Sequence, residues 1–171
     1  MTSVDTMSTY EIGARPVSVR VSLVVLVFLG ITAFAGGMEM LIFPQGNEYL
    51  PQDMLDRLPV NTFILPGMIL SVIFGLGSLF VAWGMVRRAK VGWLAGVERM
   101  TGRHWSWTGL LLLGIGFATW MVVEVILLGA PWAQADSGGE ASAWVLYGLY
   151  GSVAVSLLIL PHLRGVVRYS S

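Results

Sequence analysis

The sequence predicts an all-α membrane protein: a four-transmembrane-helix bundle, N and C termini cytoplasmic. Three observations predict it. Hydrophobic residues make up 56% of the 171-residue chain and charged residues 12%, about half the charged share of an ordinary soluble domain. Such a chain has too few polar groups to cover a water-facing surface. Four apolar runs, about 17–43, 62–86, 105–128 and 143–160, are each long enough to cross a hydrocarbon core, which takes roughly 20 helical residues. Nine of the ten basic residues fall on one side of these runs, the asymmetry that sets orientation in a membrane.

The runs are continuously apolar, whereas barrel strands alternate and are about half as long. Backbone groups in lipid must bond within their own segment, so each run reads as a helix. Run 1 carries fifteen Leu, Ile, Val and Phe. At roughly −0.4 kcal/mol each on the insertion scale they outweigh one charge at roughly +3 kcal/mol, so run 1 tolerates Glu39. Ala33-Phe34-Ala35 resembles a signal-peptidase site. The run continues past it to Phe43, however, and Asp5 and Glu11 dilute the basic flank, so a retained span is the better reading.

The expected organisation is a single membrane domain, 1–171. Residues 1–16 and 164–171 form cytoplasmic tails, 44–61 and 129–142 outer loops, and 87–104 a basic inner loop. The inner side holds Arg15, Arg20, Arg87, Arg88, Lys90, Arg99, Arg103, Arg164 and Arg168. Arg57 stands alone among Glu48, Asp53, Asp56, Asp136 and Glu140 on the outer side. The net charge of zero is thus a charge separation across the bilayer. Tryptophans mark the boundaries, with Trp83, Trp105 and Trp107 at the inner one and Trp132 and Trp144 at the outer one, as in an aromatic belt.

In the first outer loop, Pro51–Leu58 combines an early proline and acid with Leu and Met at helical spacing, which predicts a short helix on the outer face. The inner loop's Arg87, Arg88, Lys90, Arg99 and Arg103 form a lipid-facing basic segment that attracts anionic lipid, by roughly 1 kcal/mol per residue. Pro66-Gly67 in run 2 either bends a helix already under way or sits in a first turn that starts late. Four-residue-spaced small residues, Ala33/Gly37, Ser71/Gly75, Gly114/Ala118 and Gly148/Ser152/Ser156, offer faces for close helix packing.

Glu39 and Glu124 lie inside apolar runs, and intramembrane carboxylates default to a functional hypothesis. Each stands four residues before the outer end of its run, about 6 Å in depth at the helical rise. With Trp120 one turn inward of Glu124 and Asn61 at the start of run 2, they compose a candidate intramembrane polar site. The competing reading has each carboxyl bond a hydroxyl or backbone carbonyl on a neighbouring helix, or reach the outer headgroups.

Functions divide accordingly. Cysteine is absent, so thiolate metal sites and thiol chemistry are excluded. No metalloprotease His-Glu motif, phosphate-binding glycine loop or mid-span histidine pair is present. His104 and His162 both fall at the inner boundary, more consistent with interfacial positions than with a metal or relay pair. No enzyme activity, cofactor, metal or nucleic-acid partner is expected. The expected role is that of a non-enzymatic accessory or scaffold component that contacts anionic lipid at the inner face and assembles with a membrane-protein partner or with itself. The alternative is a small proton- or cation-linked transporter using Glu39 and Glu124.

Ile31-Thr32-Ala33 to Gly36-Gly37, Phe43-Pro44-x-Gly46, Leu65-Pro66-Gly67 and Trp120-Met121-Val122-Val123-Glu124-Val125 form a pattern across residues 30–130. It resembles a group of small bacterial membrane proteins with four spans and no assigned activity. The resemblance implies Gln or Glu at position 124, a need for polarity rather than charge, and implies nothing for Glu39. Nine arginines against one lysine fit a GC-rich bacterial genome and an inner (plasma) membrane location.

Overall fold

The computed structural model describes residues 15–47, 52–129 and 140–170, without the side chains of 53 and 140–144. Among the described residues it is helical, with no strands. α1 spans Val17–Ile42, α2 Gln52–Asp56 and α3 Ile64–Arg87. A 3-10 turn at Gly92–Leu94 leads into α4, Ala95–Thr101. α5 spans Trp105–Leu128, α6 Glu140–Ile159 followed by a 3-10 turn Leu160–His162, and α7 Arg164–Ser170. Among the described residues, four helices are long and apolar enough to cross a membrane: Val17–Ile42, Ile64–Arg87, Trp105–Leu128 and Val145–His162.

The helices begin and stop where their sequences allow. Pro16 precedes α1 and its carbonyl accepts from Val19 N–H (2.9 Å), while Phe43-Pro44 ends it, since Pro44 has no N–H to continue. Pro66 stands in the first turn of α3, where the missing donor costs nothing. The reading in which this helix starts late is therefore the observed one. The irregularity lies further on: Ile69–Leu76 is π-helical. Its widened turn presents Ser71 and Gly75 to α1 and Phe74 to the bundle interior. α3 stops at Arg88, which is left-handed (φ 47°).

Packing runs in a ring, α1 against α3, α3 against α5, α5 against α6 and α6 back against α1, with α1 and α5 on the diagonal. Aromatic rings link all four helices. Phe28 of α1 meets Tyr150 of α6 (6.4 Å), Tyr150 meets Phe117 of α5 (6.1 Å), and Phe117 meets Phe74 of α3 edge-on (5.2 Å). Leu26, Leu29, Leu110 and Leu157 are fully buried around them. Outward positions are equally apolar: Val24, Ile31, Leu112, Ile126 and Val145 are all exposed by more than half. A water-soluble protein rarely leaves so continuous an apolar surface uncovered, so the circumference matches a hydrocarbon environment.

Several expectations are corrected. Residues 164–170, expected as part of a tail, form α7, which packs on α1 and α5 with Val166 fully buried. The segment 87–104 is partly helical. Trp105 is not a boundary anchor. It is buried, stacked on Phe80 (4.8 Å), and its indole donates to the Ala89 carbonyl (2.7 Å). The short helix expected within 51–58 is present as α2, and Arg57 just beyond it donates to the Leu128 carbonyl at the end of α5 (3.1 Å). Asp5, Glu11, Glu48, Pro51, Trp132 and Asp136 lie outside the described residues, as do the side chains of Asp53, Glu140 and Trp144.

Candidate functional site

The predicted polar site does not assemble around one centre. Glu39, in the last turn of α1, accepts a hydrogen bond from Asn47 Nδ2 (3.0 Å) in the loop that follows its own helix. Glu124, a turn from the end of α5, has the Trp120 indole of the same helix as its side-chain hydrogen-bond partner. Trp120 in turn packs on Phe74 (6.1 Å). Asn61 is exposed and bonds neither carboxylate. α1 and α5 are diagonal, and each carboxylate is held by its own local partner.

A different site forms at the end of the bundle that carries Arg87 and Arg164. A cleft of about 550 Å³ opens there, lined by Arg88, Lys90, Glu98, Gly102, Arg103, His104 and Ser170. Three separate stretches of chain build it. Arg88 and Lys90 follow α3, Glu98 lies on α4, Gly102–His104 form the turn into α5, and Ser170 ends α7. Gly102 is left-handed (φ 64°), which lets the chain reverse tightly before α5.

Hydrogen bonds to backbone carbonyls lock these stretches together. His104 N–H donates to the Ser170 carbonyl (2.7 Å), Arg88 donates to the Tyr169 carbonyl, and Tyr169 Oη–H donates to the Met85 carbonyl (3.0 Å). His104 caps α5: its Nδ1 accepts the Ser106 N–H (3.3 Å), which leaves the neutral ring's proton on Nε2. That Nε2 is buried without a hydrogen-bond partner, 3.8 Å from Glu98 Oε1. Glu98 Oε1 also accepts the Trp105 N–H (3.2 Å), so its charge sits against the positive end of the α5 dipole.

Two arginines of the cleft are stacked. Arg103 lies over the Trp107 ring (4.2 Å) and Arg88 over the Tyr169 ring (4.8 Å). Trp107 is itself fixed by donating to the Pro161 carbonyl (2.8 Å). The basic loop therefore divides: Arg88, Lys90 and Arg103 line the cleft, while Arg87 and Arg99 are exposed outside it. His104 belongs to the cleft and His162 is exposed in the turn after α6. Among the described residues no three His, Asp or Glu side chains cluster as a metal site.

Sequence reasoning placed the basic residues but missed that α7 closes the cleft. The available signal was Val166 and Ser170 at four-residue spacing between Arg164 and Arg168, a short amphipathic face. Replacing Tyr169 by Phe removes the bond to Met85 while keeping the ring under Arg88. We expect it to cost about 1 kcal/mol, read as a small fall in the thermal midpoint in detergent. An unchanged midpoint would show that the Tyr169 hydroxyl contributes nothing to holding α7.

The small-residue stripes also separate. Ala33/Gly37, Ser71/Gly75 and Gly114 are buried in helix contacts. On α6, Gly148 and Ser152 are exposed and Ser156 is half-buried, with nothing near the space a Gly148 side chain would fill. Ser152 Oγ donates back to its own helix at the Leu149 carbonyl (2.6 Å). The stripe is a shallow face flanked by exposed Val145, Leu149 and Val155.

No protein-family model matches the chain, and neither a curated protein nor a solved structure matches it.

Proposed function

We propose that this chain is a non-enzymatic accessory protein of a bacterial plasma membrane, which assembles with another membrane protein or with its own copy through the open face of α6. One observation carries the reading. Three of the four small-residue stripes are consumed inside the bundle, and the fourth, Gly148/Ser152/Ser156, faces outward. Helices in lipid associate by close packing of such faces rather than by apolar burial. An open one is therefore suited to a further helix. The basic end supports an orientation with both termini cytoplasmic, where its charge attracts anionic lipid.

The alternative, a proton- or cation-linked transporter using Glu39 and Glu124, has less support. The two carboxylates have separate local partners on diagonal helices, and rings from all four helices fill the interior.

The test is crosslinking in native membranes at native expression, comparing wild type with the double substitution Gly148→Leu and Ser152→Leu. Both positions are exposed, so the fold and thermal midpoint stay unchanged. The crosslinked partner, whether another membrane protein or a second copy, should fall at least about fivefold as bulky side chains hold helices apart. A wild-type protein recovered alone, or a variant that crosslinks equally well, would refute the assembly face.

A further inference from the structure

The cleft at the basic end has features that diffuse attraction to lipid does not require. We propose that it is a specific binding site for a phosphate monoester group, presented either by a lipid headgroup or by a small soluble phosphate. Three cationic side chains, Arg88, Lys90 and Arg103, line one cleft of about 550 Å³ that holds a single carboxylate, Glu98. Glu98 accepts the Trp105 N–H at the N-terminus of α5, so part of its charge is already compensated within the protein.

The arginines are preorganised. Arg103 is stacked on Trp107 and Arg88 on Tyr169, and both rings are anchored by their own hydrogen bonds to the backbone. A guanidinium held flat has lost much of its rotamer freedom before a ligand arrives; the donor fork of Arg103 matches the oxygens of a phosphate, while Arg88, already bonded to the Tyr169 carbonyl, contributes its charge. Lys90 adds a mobile point charge at the rim. A phosphate monoester, with up to two charges and three terminal oxygens, makes fuller use of this set than a diester with one charge and two.

The experiment compares two double variants that remove the same net charge, Lys90→Gln with Arg103→Gln inside the cleft and Arg87→Gln with Arg99→Gln outside it. Full-length protein is reconstituted in nanodiscs containing phosphatidic acid, a monoester, or phosphatidylglycerol, a diester, and binding is read by ³¹P NMR. In parallel, purified protein in neutral detergent is titrated with inorganic phosphate at constant ionic strength, with thermal midpoint as readout. The cleft variant should bind at least about tenfold more weakly, while the surface variant should match wild type. Preference for phosphatidic acid identifies a lipid source, and stabilisation by inorganic phosphate in detergent a soluble one. Equal losses in both variants would reduce the effect to diffuse attraction and overturn the proposal. So would a wild type that neither prefers phosphatidic acid over phosphatidylglycerol nor is stabilised by inorganic phosphate. Ligand-free midpoints of all variants establish that each is folded. None of these outcomes depends on the α6 face, so assembly and phosphate binding fail or stand separately.

Discussion

Gly37→Ala should lower the thermal midpoint by about 6–12 °C, whereas Gly36→Ala, one residue away, should change it by no more than about 2 °C. A methyl at position 37 would lie 2.5 Å from Ser71 N and 2.7 Å from the Gly67 carbonyl oxygen. Both atoms are backbone, so α1 and α3 must move apart to admit it. Overpacking of this kind costs up to about 3 kcal/mol, which for a chain of this size corresponds to the stated shift. At position 36 the nearest atom is Leu70 Cδ2 at 3.5 Å, an ordinary contact, and alanine is the better helix former. Circular dichroism melts of the two variants in the same detergent provide the check. Equal midpoints would show that α1 and α3 do not cross as closely as described.

Gly114→Ala should produce a comparable loss, about 2–3 kcal/mol, at the opposite seam. The added methyl would meet the Leu157 carbonyl oxygen at 2.8 Å and the backbone N of Leu158 at 3.2 Å. The helices α5 and α6 would separate, and the Phe117–Tyr150 contact (6.1 Å) would loosen with them. Gly148→Ala, on the same helix pair but with open space at its Cβ, should leave the midpoint unchanged or slightly raised. Gly37 and Gly114 lie on different seams, so their double variant should lose the sum of the single losses to within about 0.5 kcal/mol. A double variant no worse than Gly37→Ala alone would mean that the two seams open together.

Local sequence carries most of the helical layout. The run at 105–128 coincides with α5, and the runs at 17–43 and 62–86 differ from α1 and α3 by one or two residues. These helices are legible because continuous apolar stretches, bounded by Pro16, Pro44 and the arginines after Val86, have one way to satisfy their backbone in lipid. The short elements α4 and α7 were not legible. Seven residues carry too little periodicity to stand out, and α7 owes its helix to the packing of Val166 against α1 and α5 rather than to its own propensity.

The candidate sites divide along the same line. That Glu39 and Glu124 sit at equal depth follows from spacing along two helices. That they do not share a centre depends on which helices are neighbours, and the ring order α1–α3–α5–α6 puts them on the diagonal. Likewise, five basic residues between runs 2 and 3 are plain in the sequence. Arg88, Lys90 and Arg103 meet in a cleft while Arg87 and Arg99 remain outside because α7 returns to bond His104 from 66 residues away and Arg88 from 81. The four small-residue stripes look alike as text. Three become seams and one stays open, since a square of four helices gives each just two neighbours and packing decides which face each presents. By itself the sequence determined the number of spans, their lengths and the charge asymmetry between their ends, all of which follow from the solvation of single residues and single helices. Tertiary structure alone decided which carboxylates, cations and glycines meet, because those contacts join residues far apart in the chain and depend on how the helices are ordered and rotated.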